Sequence, residues 1–338
     1  MKEHRKSNIE ALRLISMFLV LVIHANFLSN EAPTTTLAFE SPITAYTQYF
    51  FASISFTCVN IFVLISGWFG ISLKVKGLGN FLFQCFFWSI LCCGLSFVTE
   101  EKTIYMNDVY TCFMLHENDY WFAKSYLLLY LLSPIFNSFV EHATKKQFLK
   151  ILISFFVFQS IFGWATYAVN FFESGYSTIS FIGLYLLARY VRLYSPKWCQ
   201  FSPKIDFVII MLIVFITSIF SFITVRQGIN FVWIKTYSYV NPIIIIESLF
   251  IVVLFTKLNF NNKLINWVAT SAFSVYLFHC NDYIFRPYYV NYSQYIFNHW
   301  SGIEYLCIIF SFMLSIFVFS IIFDKLRIFL WNFLSHTK

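Results

Sequence analysis

The sequence predicts an all-α fold, a polytopic integral membrane protein of about ten transmembrane helices with both termini cytoplasmic and a single domain over residues 1–338. Three observations carry that reading. Apolar residues make up 59% of the chain and charged residues 12%, with a mean hydropathy of +0.69, more apolar surface than a soluble core of this size needs. Apolar windows of about 20 residues recur along the chain between short polar breaks. The loop charges also sort by side. With the N-terminus cytoplasmic, the inner turns collect Lys2, Arg5, Lys74, Lys76, Lys145, Lys146, Lys150, Arg189, Arg192, Lys257, Lys263, Lys325 and Arg327. The outer turns hold only Lys102, Arg226, Lys235 and Arg286, in keeping with the positive-inside rule. Acidic residues gather outside instead: Glu31, Glu40, Glu100, Glu101, Asp108, Glu117, Asp119 and Glu173.

The windows fall near 9–29, 47–72, 78–98, 119–139, 147–169, 178–195, 205–225, 238–257, 264–285 and 302–323. An amphipathic stretch at 103–116 reads as an outer interfacial segment. The 45 Phe and 21 Tyr suit lipid-facing surface and interfacial belts. The first window is too long for a signal peptide and lacks a small-residue cleavage site, so it stays as a helix. The net charge of +7 comes without a basic block, which excludes a nucleic-acid partner. The eight cysteines lie mostly inside apolar runs with no CxxC pair; they suggest packing residues, with neither a disulfide framework nor a metal site.

The first window, NIEALRLISMFLVLVIHANFLS, carries two ionisable groups that a spanning helix should avoid, Arg13 and His24. Eleven residues apart, they project from one stripe, roughly 16 Å from each other along the axis. One reading is a polar chamber with His24 as general base and an anion held near Arg13. The other is a snorkelling arginine and a histidine capping a carbonyl. Further along, Lys124 in DYWFAKSYLLLYLLSP either snorkels outward or faces the same chamber. Glu247, central in the eighth window after Asn241–Pro242, should pair with a cation such as Arg13 or Lys124. In SAFSVYLFHCNDYIF, Tyr276, His279, Asp282 and Tyr283 share one stripe, and a His279–Asp282 pair would fix an imidazole tautomer. Ser66 in LISGWFG is not a nucleophile elbow. Two basic pairs, Arg189 with Arg192 and Lys74 with Lys76, sit at inner helix ends; they suit phosphates or serve as ordinary anchors.

Taken together, these segments resemble the acyltransferase-3 family. The first helix matches its arginine, ten residues, then histidine; NIFVLISGWF (60–69), DYWFAKSYLLLYLLSPIFN (119–137), FIGLYLLARYVRLY (181–194), Asn241–Pro242 and SAFSVYLFH (271–279) are similar to its later motifs, in its order. The resemblance implies a bacterial inner-membrane O-acyltransferase, most often an O-acetyltransferase. Its donor would be cytoplasmic acyl-CoA (acetyl-CoA or another), and its acceptor a hydroxyl of a cell-envelope polysaccharide or lipid-linked glycan. It implies that His24 activates that hydroxyl, that Arg13 helps hold the donor, and that Arg189 and Arg192 take the CoA phosphates. Lys74 and Lys76 stand where many members carry an arginine pair, and no fused SGNH-type esterase follows. Lys124 or Tyr126 would steady the oxyanion. Direct transfer is the preferred route, with an acyl-histidine as the other. A transporter or flippase for a lipid-linked glycan would use the same chamber without chemistry.

Overall fold

The computed structural model describes residues 6–100, 105–115, 120–229 and 231–336. Lys2, Arg5, Lys102, Glu101, Glu117 and Asp119, and both ends of the expected 103–116 segment, lie outside the described residues. Regular structure among the described residues is helical throughout. The chain runs α1 (Ser7–Ile23, continued by a π-helical turn His24–Leu28), α2 (Thr35–Glu40), α3 (Pro42–Ser55), α4 (Cys58–Phe69), α5 (Val75–Glu100) and α6 (Met106–Cys112). It continues with α7 (Trp121–His142), α8 (Lys145–Phe158, continued by a π-helical turn Gln159–Ala165), α9 (Thr178–Tyr194), α10 (Pro203–Arg226) and α11 (Val232–Thr236). The remainder is α12 (Pro242–Lys257), α13 (Lys263–Ala269), α14 (Ala272–His279), α15 (Asp282–Ile284), a π-helical turn Phe285–Val290, α16 (Asn291–His299) and α17 (Gly302–His336).

Local chemistry sets many of these boundaries. Pro42, Pro203 and Pro242 open their helices at a position where the missing N–H costs nothing. The Asn241 side chain accepts from Ile243 N at 2.9 Å, and Thr144 and Gln147 form a reciprocal cap on α8. Gly70, at φ 78°, ends α4 in the left-handed region that a glycine adopts without cost.

Six segments are long and apolar enough to cross a bilayer: Ser7–Leu28, Pro42–Phe69, Val75–Val98, Lys145–Ala165, Pro203–Arg226 and Gly302–Ser335. The other four expected spans are helical but do not meet that measure. α9 and α12 are 17 and 16 residues long, and the 264–285 stretch breaks between α13 and α14 and again after His279. α7 is long enough at 22 residues, yet it mixes lysine, serines, an asparagine and an internal proline into its apolar run. Helices packed inside a bundle answer to their neighbours rather than to lipid, so they tolerate breaks and buried polar groups. The apolar, multi-helix architecture is that of a multi-pass membrane protein.

α1 is the axis of the bundle: it packs against α3, α4, α12, α13, α14 and α17. α4 lies so close to α9 that a Cβ on Gly67 would stand 2.4 Å from the Tyr185 carbonyl oxygen and 2.9 Å from the Ala188 Cβ. Only a glycine admits that approach. Two charges from the expected inner turns are paired, Arg327 buried and Lys257 half-buried. α17 runs past residue 323, and Arg327, 2% exposed, pairs there with Asp324 at 2.8 Å. Asp324 also accepts from Trp88 Nε1 at 3.0 Å, and Arg327 donates to Asn80 at 2.9 Å, which ties α17 to α5. Lys257 pairs with the buried Asp206 of α10. In low dielectric a charge without such a partner is strongly disfavoured, so the pairing follows from the burial.

Candidate active site

The α1 stripe continues from Arg13 through Met17, Val20, His24 and Leu28, and the last four line a cavity. Val59 and Phe62 of α4, Trp121 and Phe122 of α7, Tyr176, Tyr239, and Phe273 and Tyr276 of α14 complete its wall. It encloses about 540 Å³ of unfilled space, counting its open mouth. Rings dominate the wall, with Trp121 and Tyr176 centroids 4.5 Å apart. An aromatic-lined pocket with few polar groups is the usual form of a small-ligand site. His24 is the imidazole of that wall, and the other ionisable groups in it are the phenols of Tyr176, Tyr239 and Tyr276.

Where α1 reaches His24 the helix widens by a residue per turn. Ser29 Oγ donates to the His24 carbonyl, which also accepts from Ser29 N, and Asn30 Nδ2 donates to the Ala25 carbonyl, each side-chain bond at 2.7 Å. Such π-turns recur at functional sites because they re-aim one side chain within an otherwise regular helix. Here the ring of His24 meets that of His279, with Nδ1 of His24 2.9 Å from Nε2 of His279.

The hydrogen-bond chain determines both tautomers. His279 Nδ1 stands 2.5 Å from the Val275 carbonyl oxygen, which can only accept, so Nδ1 carries the hydrogen. With both rings neutral, His279 Nε2 then bears a lone pair and His24 Nδ1 donates to it. His24 Nε2 is left as an acceptor, without a hydrogen-bond partner among the described residues, on a side chain that lines the cavity. This is the arrangement of a general base held in one tautomer by the ring behind it. Phe285 packs edge-on against His24 and Tyr289 against His279; the Tyr289 hydroxyl donates to the Leu21 carbonyl at 2.6 Å.

Asp282, expected beside His279, is exposed; helix α14 ends at His279, and Asn281 restarts the chain on a new axis. The expected stripe therefore breaks, and a backbone carbonyl does the orienting. Tyr283 turns away to donate to Asp108 at 2.5 Å, while Tyr276 stays in the cavity wall, accepting from Phe122 N at 3.3 Å. Glu247 does not pair with Arg13 or Lys124: both its oxygens are buried without a hydrogen-bond partner among the described residues. Arg13 bonds Glu10 at 2.8 Å, one turn back along its own helix, because i and i+3 side chains are neighbours. Arg13 and Lys124 are not in the cavity wall. Tyr126 stacks under Phe122, and its hydroxyl donates to Ser66 Oγ at 3.0 Å, since Ser66 itself donates to the Phe62 carbonyl.

The two basic pairs meet at one end of the bundle. The Arg189 guanidinium lies against Gly70, where a Cβ would stand 3.2 Å from Nη1, and Arg192 lies 5.5 Å over the Trp68 ring. Lys74 and Lys76 are exposed just beyond. Tyr185, Asn137 and Tyr130 pin the intervening loop: Ile71 N donates to Tyr185 at 3.1 Å, Asn137 to the Ile71 carbonyl at 2.8 Å, and Lys74 N to Tyr130 at 3.1 Å.

One group at the site was read in the sequence only as a packing residue. Cys280 Sγ is 3.2 Å from His279 Nε2 and 3.5 Å from His24 Nδ1. The three donor atoms lie within 4.8 Å of one another, a set able to hold a metal ion. Two nitrogens on one tetrahedral zinc, each ~2.0–2.1 Å from it, stand roughly 3.3–3.4 Å apart. The 2.9 Å contact between the rings is that of a hydrogen bond.

A family model described as an acyltransferase domain matches residues 6–325. No curated protein and no solved structure matches the chain. The chain belongs to the acyltransferase-3 family, and that membership supports acyltransferase activity.

Proposed function

From membership of the acyltransferase-3 family, we propose that this protein is a bacterial inner-membrane O-acyltransferase. It moves an acyl group, acetyl by preference, from cytoplasmic acyl-CoA to a hydroxyl of a surface polysaccharide or lipid-linked glycan. Ten spans with both termini cytoplasmic are part of the proposal, supported by the charge sorting of the turns. The observation that carries the catalytic assignment is that His24, a residue of the cavity wall, has Nδ1 committed to His279 and Nε2 without a hydrogen-bond partner among the described residues. The thioester is already activated, so the protein has to position both substrates and take one proton. His24 Nε2 takes the proton of the acceptor hydroxyl as its oxygen attacks the acyl carbonyl; the carbon–sulfur bond breaks, and the departing thiolate leaves with a proton from the imidazolium so formed. The aromatic wall suits the apolar face of a sugar ring and excludes water that would hydrolyse the acyl group. Arg189, Arg192, Lys74 and Lys76 meet the phosphates of CoA.

The test supplies labelled acetyl-CoA to membranes from producing cells and follows label into glycan. Wild-type protein transfers it, and His24→Ala at equal expression does not. Retained transfer by His24→Ala removes the assignment.

A further inference from the structure

We propose that Cys280 is the acyl-accepting nucleophile, so that the group passes through a thioester on this side chain before it reaches the acceptor; the proposal rests on the acyl-CoA reading above. The geometry is that of an activated thiol. Cys280 Sγ lies 3.2 Å from His279 Nε2, the lone-pair nitrogen, and His279 is held by the Val275 carbonyl behind it. Nucleophile, base and orienting group thus stand in line, the same logic that a hydrolase triad uses. Cys280 follows the last residue of α14, where the backbone leaves the helix, and it is half-buried. Cys58, Cys85, Cys92 and Cys93 are fully buried and packed in the core, without a ring nitrogen beside them among the described contacts.

Cys280 stands beside His24, so in either route the acyl end of CoA spans from the basic cluster to the histidines; what the thiol adds is that CoA can leave before the acceptor enters. The basic cluster lies at the Trp68–Lys76 end, past the C-terminus of α4, whereas His24 lies at the far end of α1 from Arg13. Exchange of one thioester for another keeps the acyl group activated, so it can be parked at the histidines while CoA withdraws. In the first step His24 carries its hydrogen on Nε2, which leaves the lone pair of His279 Nε2 free; the Cys280 S–H, 3.2 Å away, passes its proton to that nitrogen and the sulfur attacks the acyl carbonyl. The carbon–sulfur bond to CoA breaks, and the departing CoA thiolate takes the proton from His279; the His24 hydrogen then exchanges through water from Nε2 to Nδ1, where His279 Nε2 accepts it. In the second step the acceptor O–H gives its proton to His24 Nε2 and its oxygen attacks the Cys280 thioester. The Cys280 sulfur leaves and takes the Nδ1 proton of His24, 3.5 Å away, which leaves that ring neutral with its hydrogen on Nε2, as at the start of the first step.

The experiment needs no acceptor. Full-length protein in nanodiscs receives acetyl-CoA together with isotope-labelled free CoA, and the label entering acetyl-CoA is followed. An acyl-enzyme catalyses this exchange, and a direct-transfer enzyme does not. Wild type is expected to exchange and to carry one acetyl, released by neutral hydroxylamine, on the peptide containing Cys280. Cys280→Ala loses exchange on the order of 10³-fold or more, and Cys280→Ser holds the acetyl as a hydroxylamine-resistant ester. Exchange by Cys280→Ala at the wild-type rate overturns the proposal. So does an unlabelled Cys280 in wild-type protein that binds acetyl-CoA, and there the acyl-CoA reading survives. Wild-type protein that does not bind acetyl-CoA overturns both. Circular-dichroism melting of Cys280→Ser, should Cys280→Ala unfold, keeps the comparison on a folded variant.

Discussion

His24 and His279, 255 residues apart in the chain, share a 2.9 Å nitrogen–nitrogen contact that commits one lone pair and frees another. The free one, on His24 Nε2, belongs to the residue that lines the cavity. The lone pair proposed as the base is therefore defined by a ring contributed from α14 and, through it, by the Val275 carbonyl.

His279→Ala removes the acceptor for the Nδ1 hydrogen of His24, and that ring becomes free to carry its proton on Nε2, where it cannot act as a base. Acyl transfer should fall roughly 10²-fold or more, the scale of a lost tautomer lock. Acyl-CoA binding, read by calorimetry, should be unchanged.

Val20→Phe places a ring in the cavity one turn below His24. Transfer to glycan is expected to fall on the order of 10²-fold, because an acceptor displaced by an ångström loses its line of attack. The thermal midpoint should hold or rise, since the ring fills space that is now open. A lowered midpoint together with unchanged transfer would falsify the placement of the acceptor.

Arg189→Ala and Arg192→Ala should each raise KM for acetyl-CoA roughly 10- to 100-fold, the worth of one charge-assisted hydrogen bond. Acetyl-dephospho-CoA, which lacks the ribose phosphate, separates recognition from general anchoring. If either arginine meets that phosphate, wild type prefers acetyl-CoA and the variant loses the preference.

Asp324→Asn strips the partner from a buried guanidinium and should cost about 3–5 kcal/mol, read as a lowered midpoint in detergent. Replacing both Asp324 and Arg327 by apolar residues of similar volume should cost far less, because no charge is then left buried and alone.

Gly67→Ala pushes α4 off α9 by driving a methyl into the Tyr185 carbonyl. The expected loss is about 1–3 kcal/mol of stability, the usual range for overpacking.

Much of this architecture was legible from composition and spacing. The apolar windows mark helices wherever they occur, because a backbone in lipid has to satisfy its own hydrogen bonds. Periodicity also put Arg13 and His24 on one stripe of α1; His24 lines the cavity and Arg13 does not. The widened turn at His24 did not show, because it depends on Ser29 and Asn30 reaching back to carbonyls that ordinary periodicity leaves covered. Nor did the break after His279, which removed Asp282 from its expected partner. Glu247 was expected to find a cation, but Arg13 found a nearer carboxylate three residues away on its own helix.

By itself, then, the chain determined what each segment is: its length in apolar residues, its helical period, and which stripes carry ionisable groups. These are properties of neighbours in sequence, and short-range sterics and transfer free energy govern them. Which ring His24 touches, which nitrogen holds its proton, and that Cys280 stands beside both histidines were decided only in the tertiary structure. Contacts between residues more than 250 positions apart depend on how α1 and α14 pack, and no local periodicity encodes that distance.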